Sequence, residues 1–253
     1  MLRHWVADPS SCAYLPEQAS SLEYRLMLDV SPREMDVLLE RGWRRFGPAY
    51  FRPACSACQA CVPLRIPTDT FEPTKSQRRI LKRAANLRLR IRRPLVDHDR
   101  LKLYHRWHRM QSESRGWSDD RITADEYYQQ FAFPHPCVRE YAYYDDAAEG
   151  GSRLVAVAIV DETPSALSAV YTYHDPDYRK WSLGTLSVLR QVERARSTGR
   201  RWLYLGYRVL GCPSSEYKAK YQPHQLLDAF VEFGVQPRWS IGAGQTSTKQ
   251  ERR

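Results

Sequence analysis

Arg179-Lys180-Trp181-Ser182-Leu183-Gly184-Thr185 is a glycine-containing turn that feeds a helix expected from Ser182 to about Ser197. A helix N-terminus presents unpaired N–H groups and the positive end of its dipole, so such a turn can hold a phosphate. One glycine ahead of a helix is commonplace, and its place in the chain gives this one meaning. Three strands are expected before it: Arg139 to Tyr144, Leu154 to Val160 and Ala166 to Tyr173. The loop Asp145–Ser152 and the turn Asp161-Glu-Thr-Pro164 join them into a meander. A further strand, Trp202 to Tyr207, follows the helix. Upstream lie an amphipathic helix from His98 to Gln111, with Leu103, Trp107 and Met110 on one side, and a shorter one from Thr123 to Phe131. Ser114-Arg-Gly-Trp117 and Phe133-Pro-His-Pro136 mark the loops around them.

Helix pair, antiparallel meander, helix and strand in this order predict an α+β chain with a GNAT-like acyltransferase fold, in which two splayed central strands expose backbone groups to an acyl donor. The N-terminal part reads as a smaller cysteine-containing α/β region. Ser21 to Met27 is a strand there. Ser31-Pro32-Arg33-Glu34 combines an N-cap serine, proline at the first helical position and a capping-box glutamate. The helix it starts runs to about Arg41 and buries Met35, Leu38 and Leu39. Gly42 ends it, Trp43 to Arg52 forms a strand pair around Gly47-Pro48, and Val62 to Pro67 is another strand. The expected organisation is an N-terminal domain over 1–72, a transferase domain over 73–238 and a disordered polar tail over 239–253.

The composition is that of a globular chain, 42% hydrophobic and 12% aromatic. Its 39 Lys+Arg against 29 Asp+Glu give a net charge of +10 and a pI near 9.4, a balance that favours a polyanionic partner, nucleic acid before membrane. No stretch approaches the roughly 20 apolar residues that span a bilayer, and the N-terminus lacks the roughly 7–15-residue apolar run of a secretory signal. The expected setting is the cytoplasm, with six reduced cysteines.

The charge is concentrated. Lys75 to Arg93 holds nine basic residues and no acidic one. Its first half is helical in propensity and places Arg78/Lys82 and Arg79/Arg83 at i,i+4, where like charges repel unless an anion binds. Its second half, Leu87-Arg-Leu-Arg-Ile-Arg92, alternates strictly and reads as a strand with one basic face. Phosphate contact by both elements is the preferred reading, with a solvated basic face as the other. In Cys55-Ser-Ala-Cys58-Gln-Ala-Cys61, three thiols at three-residue intervals supply most of a metal or iron–sulfur site but lack one ligand. Small buried cysteines packing beside a loop would produce the same pattern.

At Cys12-Ala-Tyr-Leu-Pro, Glu23-Tyr-Arg, Arg41-Gly-Trp-Arg-Arg-Phe-Gly, Phe51-Arg-Pro-Ala-Cys-Ser-Ala-Cys-Gln-Ala-Cys-Val-Pro-Leu-Arg65 and Ser76-Gln-Arg-Arg, the chain resembles the aminoacyl-tRNA–protein transferases of the N-degron pathway, particularly the bacterial leucyltransferases. The resemblance continues through Tyr171-Thr-Tyr-His-Asp-Pro, Ser182-Leu-Gly-Thr, Leu203-Tyr-Leu-Gly-Tyr207, Gly211-Cys-Pro and Tyr217-Lys-Ala-Lys-Tyr. One departure stands out: after Gly211-Cys212-Pro213 the family usually has Lys-Met, whereas this chain has Ser214-Ser215.

The resemblance implies transfer of leucine from leucyl-tRNA to the N-terminal α-amine of proteins beginning with Asp or Glu, marking them for proteolysis. It implies aminoacyl-tRNA and acidic protein N-termini as partners and no cofactor for the chemistry. An α-amine with an ordinary pKa of about 7.7–8.0 is partly neutral already, so direct aminolysis of the ester needs alignment and oxyanion stabilisation rather than a protein nucleophile. No Ser/His/Asp or Cys/His arrangement is evident. On this reading Ser182, Gly184 and Thr185 hold the tRNA 3′ end, with Arg179 nearby. Lys75, Arg78, Arg79, Lys82 and Arg83 grip the acceptor stem. Arg208, Lys218 and Lys220 are the cations for the acidic acceptor. Tyr171, Tyr173 and Tyr207 donate hydrogen bonds or a proton, and Asp175 anchors the ammonium or acts as base; His174 is a weaker candidate. Cys12, from its own family motif, completes four thiolates with Cys55, Cys58 and Cys61 for zinc or an iron–sulfur cluster, while Cys137 and Cys212 read as packing residues. Three alternatives stay open: an arginyl-tRNA–protein transferase with the same acceptors, an acetyl-CoA-dependent enzyme, and a non-enzymatic zinc- and RNA-binding protein.

Overall fold

The computed structural model describes residues 1–116 and 121–242. Its strands are β1 (Arg3–Val6), β2 (Ser10–Ser11), β3 (Ala19–Ser20), β4 (Leu22–Leu26), β5 (Arg44–Phe46), β6 (Ala49–Pro53) and β7 (Cys61–Pro67), then β8 (Arg88–Arg92), β9 (Val138–Asp145), β10 (Arg153–Glu162), β11 (Ala166–His174), β12 (Trp202–Val209), β13 (Gln225–Leu227) and β14 (Trp239–Ile241). The helices are α1 (Pro32–Glu40), α2 (Lys75–Arg83), α3 (His98–Arg115), α4 (Ala124–Tyr127) and α5 (Leu183–Ser197). Tyr128–Ala132 forms a π-helical turn after α4, and Pro176–Trp181 and Glu216–Lys220 are 3-10 turns.

A large mixed sheet of eight strands, in the order β14-β13-β7-β12-β11-β10-β9-β8, carries the chain, and a four-stranded sheet β1-β4-β6-β5 lies beside it. β10 is a continuous apolar run from Leu154 to Val160, which suits a strand covered on both faces of the sheet. Ala156, Ala158 and Val160 join Leu183, Leu186, Leu189 and Val192 of α5 in one core cluster. Val157 and Ile159 join Leu103 and Tyr104 of α3, with Tyr127, Phe131 and Tyr173, in another. α1 begins with the expected capping box, in which Glu34 N–H donates to Ser31 Oγ at 3.3 Å and Ser31 N–H donates to Glu34 at 2.8 Å.

β11 and β12 are the one parallel pair among the described residues, and they stay together only over Ala166–Trp202, Leu167–Leu203 and Ser168–Tyr204. Beyond that they part. Each strand breaks register there: β11 between its partners of Ile159 and Val160, where Val170 is the extra residue, and β12 between Tyr204 and Tyr207 against β7. A bulge bends its strand away from its neighbour, and Gly206, at φ +74°, supplies the left-handed residue that β12 needs for it.

Two expectations change. β7, expected in the N-terminal region, is hydrogen-bonded between β12 and β13 inside the large sheet, so a boundary at 72 does not separate the sheets. Trp239–Ile241, expected to begin the tail, is a strand on β13, held in part by Arg65, whose guanidinium lies between the rings of Trp202 (3.7 Å) and Trp239 (4.3 Å). The rest of the expected tail, from 243 on, and Trp117 in the loop after α3 lie outside the described residues.

Candidate active site

Alternation along β5 sends its two arginines to opposite sides. Arg45 turns into the protein and pairs with buried Asp161, its Nε donating to Oδ2 at 3.1 Å. Arg44 turns to the place where β11 and β12 part. There the splay leaves β11 groups without a strand partner, and the Arg44 guanidinium takes them, donating to Ser168 Oγ at 3.0 Å and to the carbonyl of Ala169. Its Cζ also lies so close to Gly206 that a Cβ there would sit 3.4 Å away. Burial pulls the Arg44 pKa below its usual range.

The next residue along β12 holds a second cation. Lys218, from the 3-10 turn, donates through Nζ to the carbonyl of Tyr207. Burial, and then the charge of Arg44, bring its ammonium down to about 8. Around the two stand Tyr14, Tyr207 and Tyr217, whose hydroxyls are all pushed above the ordinary tyrosine value, first by burial. Tyr207 Oη donates towards the carbonyl of Gly42 at 2.8 Å, with that of Phe51 at 3.3 Å, and so ties β12 to the smaller sheet. Tyr14 and Tyr207 also wall a cavity of about 490 Å3, mostly apolar, lined by Leu15, Leu22, Phe51, Val62, Val209 and Phe230 among others.

The remaining candidates from the sequence fall into separate groups. At the head of α5, Ser182 is left-handed (φ 51°) and makes no side-chain cap, and a Cβ on Gly184 would meet open space. The first N–H groups of that helix are therefore not covered by a capping side chain. Thr185 is hydrogen-bonded by the Tyr221 side chain, and Arg179 is exposed. The basic helix α2 packs beside this turn: Arg83 donates to the carbonyl of Lys180. Lys75, Arg78, Arg79, Lys82 and Arg83 are exposed and, among the described residues, face no carboxylate within ion-pair distance. The strand β8 differs, because Arg88 is paired with Asp146 (2.7 Å) and Arg92 with Glu140 (3.2 Å).

Tyr171, Tyr173 and Asp175 do not converge with Tyr207. Tyr171 Oη is 2.8 Å from His108 Nε2, and Tyr173 Oη is 2.6 Å from Tyr127 Oη, both on the α3 side of the sheet. Asp175 is buried and its carboxylate is engaged by Arg106 (3.0 Å) and Arg153 (2.5 Å), away from the splay. His174 packs against Trp107 at 4.1 Å, and burial lowers its pKa. Of the three cations assigned to the acceptor, Arg208 is paired with Glu216 at 2.8 Å, Lys220 is exposed, and only Lys218 reaches the splay. The sequence reading missed Arg44, Tyr14 and Tyr217. All three sit in quoted motifs, but no local pattern indicated that those motifs meet.

Cys12, Cys55, Cys58 and Cys61 line the same cavity, and the Cys61 thiol is pushed up to about 11, first by burial and then by the other three. Yet among the described residues no three His, Cys, Asp or Glu side chains are grouped so that they could hold a metal ion. Cys55 Sγ instead exchanges weak hydrogen bonds with the backbone of Ser21, at 3.4 and 3.5 Å. The four thiols that the sequence assigns to a zinc or iron–sulfur centre thus share one cavity, without being drawn together as a ligand set in this arrangement.

Two family models match the chain. One, described as the N terminus of arginine-tRNA-protein transferase, covers residues 10–79, and the other, described as its C terminus, covers residues 99–228. The chain belongs to this aminoacyl-tRNA–protein transferase family. Among similar proteins, the aspartate/glutamate leucyltransferase of Helicobacter hepaticus is 31% identical over 96% of this chain and 99% of its own. That of Pseudomonas putida is 38% identical, over 89% and 94%. Among solved structures, FemX superposes with a TM-score of 0.46 at 8% identity over 81% of this chain and 79% of its own. L-PGS from Bacillus licheniformis does so at 0.43 and 13%, over 71% and 51%. No helix among the described residues is long and apolar enough to cross a membrane.

Proposed function

We propose that the protein is an aspartate/glutamate leucyltransferase on a GNAT-like fold: it moves leucine from leucyl-tRNA to the α-amine of proteins that begin with Asp or Glu, giving them a destabilising N-terminus. The similar proteins carry that activity in their names, at 31% and 38% identity over most of both chains. The observation that carries the reading is the splay between β11 and β12, together with the uncapped head of α5 and the apolar cavity lined by Tyr207 and Val209 of β12.

The 3′ end of the tRNA would meet the N–H groups of Leu183, Gly184 and Thr185, while α2 holds acceptor-stem phosphates through its exposed cations. The neutral α-amine attacks the ester carbonyl, the C–N bond forms, and the ribose 3′ or 2′ oxygen leaves with a proton. No covalent enzyme intermediate is needed. The protein lowers the barrier by holding amine and ester in line and by directing donors at the developing oxyanion. A leucyl side chain suits the mostly apolar cavity better than an arginyl one. Asp228 also lines that cavity, and its carboxylate lies 3.6 Å from Arg238.

A transfer assay tests the reading. Purified protein is given peptides starting with Asp, Glu, Lys or Ala, and tRNA charged with labelled leucine or arginine. Label passing from leucyl-tRNA to the Asp and Glu peptides alone is expected. Transfer of arginine would move the chain to the arginyl branch and count against the cavity argument, and no transfer from either would overturn the enzyme reading.

A further inference from the structure

Two half-buried cations beside one strand, with no counter-ion, are costly unless something anionic visits them. Arg44 and Lys218 are such a pair. Among the described residues no carboxylate lies within ion-pair distance of either, although most other inward-facing arginines have one: Arg45 has Asp161, Arg52 has Glu23, Arg100 has Glu140 and Arg208 has Glu216. Each is fixed from behind. Arg44 uses two N–H groups on Ser168 and Ala169, and Lys218 uses one on Tyr207. A guanidinium has five N–H donors and an ammonium three, so five remain between them. Arg44 is held by β11 and lies against Gly206 of β12, Lys218 is held by the next β12 residue, Tyr207, and both cations retain partial exposure.

We infer that Arg44 and Lys218 together form the receptor for the side-chain carboxylate of the acceptor's first residue. The inference rests on the transferase reading above and adds to it the residues that select the acid. A carboxylate can take a forked pair of bonds from Arg44 and a third from Lys218, and it neutralises a site where the two cations otherwise repel. A side chain is favoured over a tRNA phosphate because Arg44 and Lys218 are only partly exposed and tied back to β11 and β12, whereas the exposed cations lie on α2. Arg208 and Lys220 are not part of the receptor: the first already has Glu216, and the second points to solvent.

The test compares peptides that differ only in charge at the first residue, Asp against Asn and Glu against Gln, in wild type, Lys218→Met and Arg44→Lys. Two readouts are taken: kcat/KM for transfer with saturating leucyl-tRNA, and binding of the labelled peptides to tRNA-free protein by fluorescence anisotropy. Losing a hydrogen-bonded ionic contact of this kind should reduce the Asp-over-Asn preference roughly 10- to 100-fold in either variant. The change should lie in KM for the peptide and in its anisotropy titration. Lys218→Glu should go further and favour a peptide beginning with Lys. Thermal unfolding checks that each variant is folded, and Arg44→Lys, which keeps charge but loses the fork, serves if removal of the guanidinium opens the splay. An unchanged Asp/Asn ratio in folded Lys218→Met and Arg44→Lys would overturn the inference while leaving the transferase reading intact. So would a rise in KM for leucyl-tRNA with none for the peptide, since the anion would then be phosphate. If wild type transfers nothing, the transferase reading fails, and the anisotropy series still decides whether this pair discriminates Asp from Asn.

Discussion

Acid should weaken the fold through His135 in a specific pH window. The ring sits between the two sheets, accepting the Cys137 N–H on Nδ1 at 3.1 Å with Nε2 3.0 Å from Tyr50 Oη. An Nδ1 that accepts is unprotonated, so the neutral ring donates from Nε2 to Tyr50, and a second proton would displace the Cys137 bond. Burial, with Arg45 assisting, draws the pKa from the ordinary 6.5 to about 4. Because the folded value is the lower one, the unfolded chain binds the proton first. The contribution is therefore complete above about pH 6.5 and is lost as pH falls through about 4. A gap of about 2.5 units at about 1.36 kcal/mol each sets an upper limit of about 3 kcal/mol. Urea unfolding from pH 7.5 to 4 in wild type and His135→Asn, which keeps an acceptor for Cys137 N–H but cannot titrate, isolates this part from the carboxylates. The variant should be less stable at pH 7.5 and lose less on acidification. Parallel stability curves for the two proteins would refute the reasoning.

Glu140 is fully buried and accepts from Arg100 at 2.6 Å through both oxygens, so Glu140→Gln should cost about 1–3 kcal/mol in urea unfolding, with Asp97 remaining as the anion paired with the guanidinium. Gly42 has φ +80°, and a Cβ there would lie 2.7 Å from Phe230 Cε1 and 2.9 Å from Pro63 Cγ; Gly42→Ala should lose about 2–4 kcal/mol by the same measurement and distort the apolar cavity that Phe230 lines. Gly206→Ala meets a milder contact at 3.4 Å from Arg44, so about 1–2 kcal/mol of backbone strain is expected, read as a lower midpoint at unchanged slope. The Cys61 thiol, held near 11, should react with iodoacetamide at pH 8 well below the rate of free cysteine, as followed by peptide mapping; a rate at or above that of free cysteine would show that the thiol is not held in this buried setting.

How much of this was readable in advance depends on the range of the signal. α1 could be bounded from four residues, because Ser31, Pro32 and Glu34 act within one turn and the structure reproduces the capping box. The meander and the helix after it were readable for the same reason, since short apolar runs, helical spacing and turn residues are local. The basic stretch was legible as charge but not as partnership. Its helix has no ion pair among the described residues, while its strand is partly neutralised by Asp146 and Glu140, which lie about fifty residues away.

What the sequence could not reveal is where strands part. β7 joins the large sheet beside β12 although one precedes the other by well over a hundred residues, and no local pattern encodes that pairing. The splay has the same origin. Gly206 was visible as a glycine in a strand, and a bulge was one of its possible meanings. That the bulge would face Val170's bulge, and that Arg44 would fill the gap, depends on three segments meeting. Arg44-Arg45 illustrates the limit: alternation guarantees that the two side chains go to opposite sides, and it says nothing of which side holds an acid. Asp161 answers Arg45 from one side, and the lack of any carboxylate beside Arg44 among the described residues turns an ordinary strand arginine into a candidate for recognising the acceptor.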